Sequence, residues 1–206
     1  MTQQPQERPG LNVHRAEPLL SGPVADLVNE AFHGLDVCRW LFPEARRRAE
    51  AFKDFCRLFV DQVYATSGGH IDVVEDDGVV AAAAVWFSGP PETPPGYEDW
   101  LGRIGPAAAR FRQLDAFMES CHPHDVEHDY LLFLAVDPKQ QGMGLGGALL
   151  EHHHAALDRL GRPAFLESAS ARSLPLYKRH GYEQNGPPMT VTARPTMFPM
   201  WRAAAV

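Results

Sequence analysis

Cysteine is scarce. The three present, Cys38, Cys56 and Cys121, are far apart and form no CxxC pair. That excludes a disulfide framework and a cysteine-paired zinc signature, and it points to a reducing compartment, the cytoplasm. Long apolar runs are missing too. The longest, Val79–Phe87, falls well short of the roughly 20 residues a membrane-spanning helix needs. The polar opening, Met1 to Gly10, lacks the apolar core of a signal peptide. Positive charge is also in deficit: 19 Lys and Arg against 26 Asp and Glu leave a formal charge of −7. Neither a nucleic-acid surface nor an anionic-membrane surface is expected. A local basic pocket for an anionic cofactor stays compatible, and an acidic surface would favour a cationic amine. Internal repeats and low-complexity tracts are absent.

What is present suits one globular domain. The chain has 206 residues, 45% of them apolar, enough for a sizeable core. Residues 1–10 read as a disordered leader, and residues 11–206 as the domain. A short strand is expected over Leu11–Arg15, then a helix over Pro23–Phe32 with Ser21 as a candidate N-cap. A longer helix follows Pro43, where Phe52, Phe55, Cys56, Phe59, Val60 and Val63 recur at helical spacing. Arg46, Arg47 and Arg48 on that segment read as a solvated face. Ile71–Glu75 and Val79–Phe87 flank Asp76-Asp77-Gly78, a hairpin signal. A Pro/Gly-rich loop, Ser88–Gly96, precedes a helix over Pro106–Glu119.

Tyr130–Val136 is almost unbroken apolar sequence and reads as a strand buried on both faces. A helix follows from Gly144 to Leu160, with Leu145, Leu149, Ala156 and Leu160 along one side. A short strand (Ala164–Glu167), a short helix (Ser173–His180) with Gly181 as its cap, and two tail strands separated by Pro187-Pro188 complete the expectation.

The most informative stretch lies between the buried strand and that helix: Asp137-Pro-Lys-Gln-Gln-Gly-Met-Gly-Leu-Gly-Gly147. Glycines let the backbone approach a ligand, and the first amides of the following helix have no intrahelical acceptor. Together with the helix dipole they make a phosphate site. Gly142, Gly144 and Gly147 fit the dinucleotide fingerprint, with Glu167 at the distance of a ribose-binding acid. The context does not fit. Asp137–Gln141 intervene between strand and glycines, and too little chain follows Glu167 to complete a doubly wound sheet.

The other parse, Gln141-x-x-Gly144-x-Gly146 within Val-Asp-Pro-x-x-Gln-Gln-Gly-x-Gly-x-Gly, resembles the pyrophosphate loop of the GNAT superfamily of N-acetyltransferases. The resemblance runs over Tyr130–Tyr182. Its downstream part, Pro163 to Tyr182, is similar to puromycin N-acetyltransferase-like members. It implies an α/β fold with a central, mixed, mostly antiparallel sheet of about six to seven strands, flanked by helices and splayed at the two central strands. It also implies acetyl-CoA as co-substrate, a coenzyme-binding core over 129–183, and an acceptor side of helices and hairpin over 20–128. Leu134, Ala135 and Val136 would offer backbone hydrogen bonds to the pantetheine arm. Gln141, Gly142, Met143, Gly144, Leu145, Gly146 and Gly147 would hold the pyrophosphate. Ser170 and Ser173 stand where many members carry Asn, and Arg172 either approaches the phosphates or is a plain exposed arginine.

Acetyl transfer to an amine needs a neutral nucleophile, a donor for the oxyanion and a proton donor for the leaving sulfur. By resemblance Tyr177, in Leu176-Tyr-Lys-Arg-His-Gly181, is the general acid and also lies against the coenzyme, and the Val136 amide polarises the thioester. The resemblance also implies direct attack, so the cysteines read as core. Glu127, just before the buried strand, is a candidate base and acceptor contact. His128 is a second candidate base. Glu167 reads either as a catalytic group or as a residue that bonds neighbouring backbone.

No metal is expected. His152, His153 and His154 are adjacent on a helix, so their side chains point about 100° apart. His122, His124 and His128 with Asp125 and Glu127 have no diagnostic ligand spacing. Trp40 and Trp86, with Phe42 and Tyr64, are candidate walls for the acceptor. The expected partner is a small-molecule amine, with the chain a monomer or homodimer. A protein or peptide N-acetyltransferase and a non-catalytic acyl-CoA sensor are the alternatives, and Tyr177 argues against the sensor.

Overall fold

A computed structural model describes residues 11–191 and 195–205. The leader read over residues 1–10, and tail residues 192–194, lie outside it. In chain order the elements are β1 (Val13–Arg15), α1 (Ser21–Phe32), α2 (Asp36–Leu41), α3 (Ala45–Ala65), β2 (Gly69–Asp76), β3 (Val79–Ser88), α4 (Tyr97–Arg103), α5 (Ala107–Cys121) and β4 (Asp129–Val136). Then come α6 (Leu145–Leu160), β5 (Ala164–Ser168), α7 (Leu174–Arg179), β6 (Tyr182–Gln184), β7 (Met189–Thr190) and β8 (Pro195–Arg202). The strands form one sheet in the order β1-β2-β3-β4-β5-β8-β6, with β7 added on β8. Pairing is antiparallel except between β4 and β5. This is the expected mixed α/β sheet with flanking helices, one strand larger than the expected range.

Alternation along β3 and β4 explains why helices cover both faces. Val85, Phe87, Phe133 and Ala135 point to one side and pack with α1, α3 and α5 through Val24, Val28, Phe52, Phe55 and Phe111. Ala82, Ala84, Trp86 and Leu131 point to the other and meet Leu145, Leu149, Leu150 and Leu157 of α6. Each fully buried Leu or Phe contributes about 1.5–3 kcal/mol. An exposed i,i+4 pair such as Arg46–Glu50 contributes about 0.3–0.5 kcal/mol. The two apolar layers, not the surface charges, hold the sheet between its helices. The β2–β3 hairpin closes through Asp77 at φ 50° and Gly78 at φ 77°, the positive pair that a tight two-residue turn demands.

Several local expectations are corrected. Ser21 is not an N-cap: it lies inside α1, and its hydroxyl donates to Asp61 on α3. Of the three arginines read as solvated, Arg48 is buried, and its guanidinium donates to the carbonyls of Phe42 and Pro43 at 2.5 and 3.3 Å, just past the end of α2. Leu160 is 73% exposed, and Leu150 and Leu157 take its place in the layer. The tail forms three strands rather than two, and α7 is capped by His180 with Gly181 beyond it. Helix α4 was not foreseen. It follows the proline-rich loop because Tyr97, Trp100 and Leu101, at helical spacing, are all buried, and the Trp100 indole donates to the Ala51 carbonyl of α3 at 3.2 Å. Among the described residues no helix is long and apolar enough to cross a membrane.

Candidate active site

The sheet opens between its two central strands. β4 pairs with β5 only at Asp129–Ala164 and Tyr130–Phe165. Beyond Tyr130, β4 keeps β3 on one side and, among the described residues, has no strand on the other. A β-bulge lies at the point of divergence: Val85 pairs with Phe133 but Trp86 pairs with Leu131, so Leu132 is the extra residue. Backbone direction then follows from alternation. The Asp137 amide donates to the Ala81 carbonyl of β3 at 2.9 Å, so the amides and carbonyls of Val136 and Leu134 turn away from β3, into the opening. Ala135, expected to act with them, turns its backbone to β3.

At the end of this open edge the chain makes two tight turns. The Lys139 amide donates to the Asp137 carboxylate at 2.8 Å, and the Gln141 side chain donates to the Val136 carbonyl at 3.4 Å. Gly142 and Gly144 take φ of 83° and 92°, and a Cβ on either would meet nothing within 4 Å. Gly144 occupies the N-cap position of α6 without any side-chain cap. The first helical bond runs from the Ala148 amide to the Gly144 carbonyl, so the amides of Leu145, Gly146 and Gly147 have no intrahelical acceptor. Gln141, Gly142, Met143 and Gly144 are exposed, while Leu145 and Gly146 are buried. A Cβ on Gly146 would meet Leu176 and Val136 at 3.6 Å and Leu134 at 3.7 Å. Apolar side chains of β4 and α7 therefore close up against a bare helix N-terminus, a polarity that fits a thioester arm ending in phosphates.

Tyr177 lies on α7, in the same apolar layer as Leu134, Val136 and Leu176. Its ring packs edge-on against Tyr182 at 5.8 Å, and burial holds its phenol well above the ordinary tyrosine range. It stays protonated at any working pH. Ser170 caps the short turn Ala171–Ser173, accepting from the Arg172 amide at 3.1 Å, and Ser173 sits at the N-terminus of α7. Arg172 itself is exposed.

The expected bases are elsewhere. Glu127 and His128 precede β4 at the end where β4 and β5 are still paired, not on the open edge. Glu127 is exposed there, on a separate surface cleft of about 500 Å³ that it shares with the proline-rich loop. His128 is 1% exposed, and both ring nitrogens are engaged, with the Val126 carbonyl at 2.7 Å and His122 Nε2 at 2.9 Å. Burial, reinforced by His128, lowers the pKa of His122 to about 4, so it stays neutral.

Glu167 is in the better position. It stands two residues past Phe165, on the first diverging step of β5, and on the face opposite Leu166. The Tyr130 hydroxyl donates to its Oε2 at 2.7 Å and the Cys121 thiol approaches Oε1 at 3.6 Å. Burial outweighs both bonds and raises its pKa to about 7, where a carboxylate is a competent base at neutral pH. Its raised basicity comes from burial, against the bonds from Tyr130 and Cys121, and no local motif reveals that enclosure.

Of the expected acceptor walls, Trp40 is half-buried against the layer that contains α1 and α3. Trp86 is corrected. It is fully buried on the opposite face, tilted against His153 of α6 with ring centroids 4.1 Å apart. Phe42 is core, and Tyr64 donates to the carbonyls of Ala16 and Glu17.

Residues 107–184, which span α5, β4, the glycine loop, α6, β5 and α7, match the family model of the acetyltransferase (GNAT) domain. That stretch is similar to a GNAT acetyltransferase domain, and the chain is an acyltransferase of this fold. This acyltransferase is similar over 94% of its length to a Corynebacterium glutamicum protein described as histone acetyltransferase HPA2 and related acetyltransferase, with 28% identity, 96% of that chain covered and a TM-score of 0.70. Its fold also matches the ribosomal-protein-S18-alanine N-acetyltransferase of Escherichia coli, at 18% identity, 95% and 94% coverage of the two chains and a TM-score of 0.54. A third match is the PaiA N-acetyltransferase of Thermoplasma acidophilum in complex with coenzyme A, at 8% identity, 93% and 98% coverage and a TM-score of 0.56. The last two likenesses are of fold alone. Acetyl-CoA is the acyl donor of the GNAT family, and the open edge, glycine turns and uncapped α6 of this acetyltransferase suit it.

Proposed function

We propose that this acetyltransferase moves the acetyl group of acetyl-CoA directly to the primary amine of a small molecule, with Glu167 as general base and Tyr177 as general acid. The observation that carries the reading is their placement on opposite sides of one opening. Leu166 and Tyr177 share the layer under α6, whereas Glu167 points to the face of Tyr130 and Cys121. The coenzyme arm would lie along Leu134 and Val136, its pyrophosphate on the amides from Gln141 to Gly147, with Ser170 and Ser173 nearby. The Val136 amide would polarise the thioester carbonyl. An amine arriving from the Glu167 side gives up its proton to that carboxylate, and Tyr177 offers its own to the departing sulfur.

The puromycin-like character of Pro163–Tyr182 and the net negative charge favour a cationic, metabolite-sized acceptor. The helices α2, α4 and α5, with the proline-rich loop pinned by the Gln62 side chain to the Glu92 carbonyl, narrow the acceptor face and disfavour an extended peptide. All three cysteines are free, as a reducing cytoplasm would leave them. The test is thiol release from acetyl-CoA with a panel of puromycin, aminoglycosides, polyamines and short peptides. Release with small amines supports the proposal, and release with peptides alone overturns its acceptor half.

Tyr177→Phe is expected to lower turnover at least tenfold and to leave coenzyme affinity nearly unchanged, because only the proton donor is lost. Steady-state kinetics paired with calorimetry of coenzyme A binding reads both quantities. Unchanged turnover removes Tyr177 from the mechanism.

A further inference from the structure

A second cluster lies under α6, on the face of the sheet away from Glu167. His153 is about 12 Å along α6 from Leu145. The three adjacent histidines diverge as their helical spacing requires: His152 is exposed, while His153 and His154 are buried. His153, however, meets two residues of β2. His70 Nε2 lies 3.2 Å from His153 Nδ1 and 3.5 Å from Asp72 Oδ2. One ligand atom from each of His70, Asp72 and His153 falls within 4.8 Å of the others.

Three observations favour a cation here. Asp72 is 0% exposed, yet among the described residues neither carboxylate oxygen has a hydrogen-bond donor in proper geometry; Arg15 Nε is 3.3 Å from Oδ1. Ion pairs with Arg15 and His70 offset its burial and leave both oxygens with lone pairs for a ligand. Secondly, His153 Nε2 is 2.8 Å from Asp129 Oδ2, and Arg162 Nε holds Oδ1 of the same carboxylate at 2.7 Å. The Nε2–H donates to that carboxylate, so the Nδ1 lone pair faces His70 Nε2, the carboxylate–histidine arrangement typical of metal ligands. Thirdly, the spacing is right. Zinc–ligand bonds of about 2.0–2.1 Å in a tetrahedron separate the donors by about 3.3 Å, close to the 3.2 and 3.5 Å from His70 Nε2 to its two partners.

We propose that His70, Asp72 and His153 bind one divalent transition-metal ion, zinc by donor set, with its fourth position open to water. The ion ties α6 to β2. His70, 18% exposed in its side chain, gives access from solvent. The three adjacent histidines diverge among themselves, and His153 finds its partner His70 on β2, 83 residues earlier.

The test is calorimetric titration of the full chain with zinc ion after chelator treatment, alongside thermal unfolding. One ion per chain is expected, and at a hundredfold excess over Kd the Tm should rise by about 5 °C or more. His70→Gln and His153→Gln should each weaken binding by at least a hundredfold. His152→Gln should not change it, and Asp129→Asn should weaken it about 10- to 100-fold. His70→Gln sits at the cluster's solvent edge, so it tests the site even if His153→Gln fails to fold. Absence of binding to the wild type overturns the proposal. So does undiminished one-to-one binding in folded His70→Gln, which would assign the ion to other groups such as His122 and His128.

Discussion

Glu167→Gln is expected to lower kcat/KM by about a hundredfold or more, the scale of a lost general base, while raising stability at alkaline pH. The two effects have one cause. In the wild type kcat/KM should climb with pH and level off above about 7, as the Glu167 carboxyl ionises. The glutamine cannot titrate, so that rise should vanish. Stability runs the other way. The folded pKa is about 7 against the 4.5 of an ordinary glutamate. Between those values the unfolded chain has released its proton and the folded chain keeps it, so stability falls as pH rises through this window and is flat above it. The loss is about 3 kcal/mol at 1.36 kcal/mol per unit. Glutamine still accepts from Tyr130 and avoids that loss, so its Tm should exceed the wild type's at pH 8, with the advantage shrinking towards pH 5. A variant that is slow and also unstable at pH 8 would mark Glu167 as a packing residue. One that turns over normally would remove it from catalysis.

Gly144→Asp should abolish coenzyme binding in a protein that still folds. Two considerations decide between misfolding and a lost site. At φ 92° an L side chain is strained, at a cost of about 1–3 kcal/mol, and most folded domains have 5–15 kcal/mol in hand. The new Cβ meets nothing within 4 Å, so no clash adds to that. The carboxylate, in contrast, stands at the N-cap of α6, where an aspartate readily takes the free amides for itself. It would occupy the donors meant for the pyrophosphate and repel its charge. An affinity loss of at least a hundredfold is expected by calorimetry with coenzyme A. Gly144→Ala, with the same strain and no charge, should lose far less. Equal losses in the two variants would reduce the effect to backbone strain, and normal affinity in folded Gly144→Asp would sink the loop assignment.

The parts of this molecule that were legible in its sequence are those whose cause is local. Tyr130–Val136 is apolar at every position because both faces of β4 are covered. Asp77-Gly78 reads as a tight turn because few other pairs tolerate it. The glycines after Gln141 stand out because only a close ligand or a strained turn calls for them. What escaped is the company each residue keeps across the fold. Arg48 reads as a surface charge until Phe42 and Pro43 present carbonyls to it. Trp86 is an aromatic of unknown side until the hairpin register turns it towards α6. Glu127 holds the expected position in sequence, yet β4 is still paired at that end. Glu167 is one glutamate among many until Tyr130 and Cys121 enclose it.

The extra residue at Leu132 has a further meaning. Side chains along a strand alternate, yet Leu131 faces α6 while Phe133, two positions on, faces α1 and α3. Leu132 shares the face of Phe133, so two neighbours stand on one side and the ladder with β3 then resumes its register. Deleting Leu132 would join the Trp86–Leu131 rung directly to the Val85–Phe133 rung and leave a regular pair. Leu134 and Val136 would keep their faces, and their backbone groups would still turn to the opening. What a deletion removes is the bend and extra twist that a bulge gives its strand. The insertion therefore steers the path of β4 where it parts from β5, and leaves unchanged the choice of side chains that line the gap.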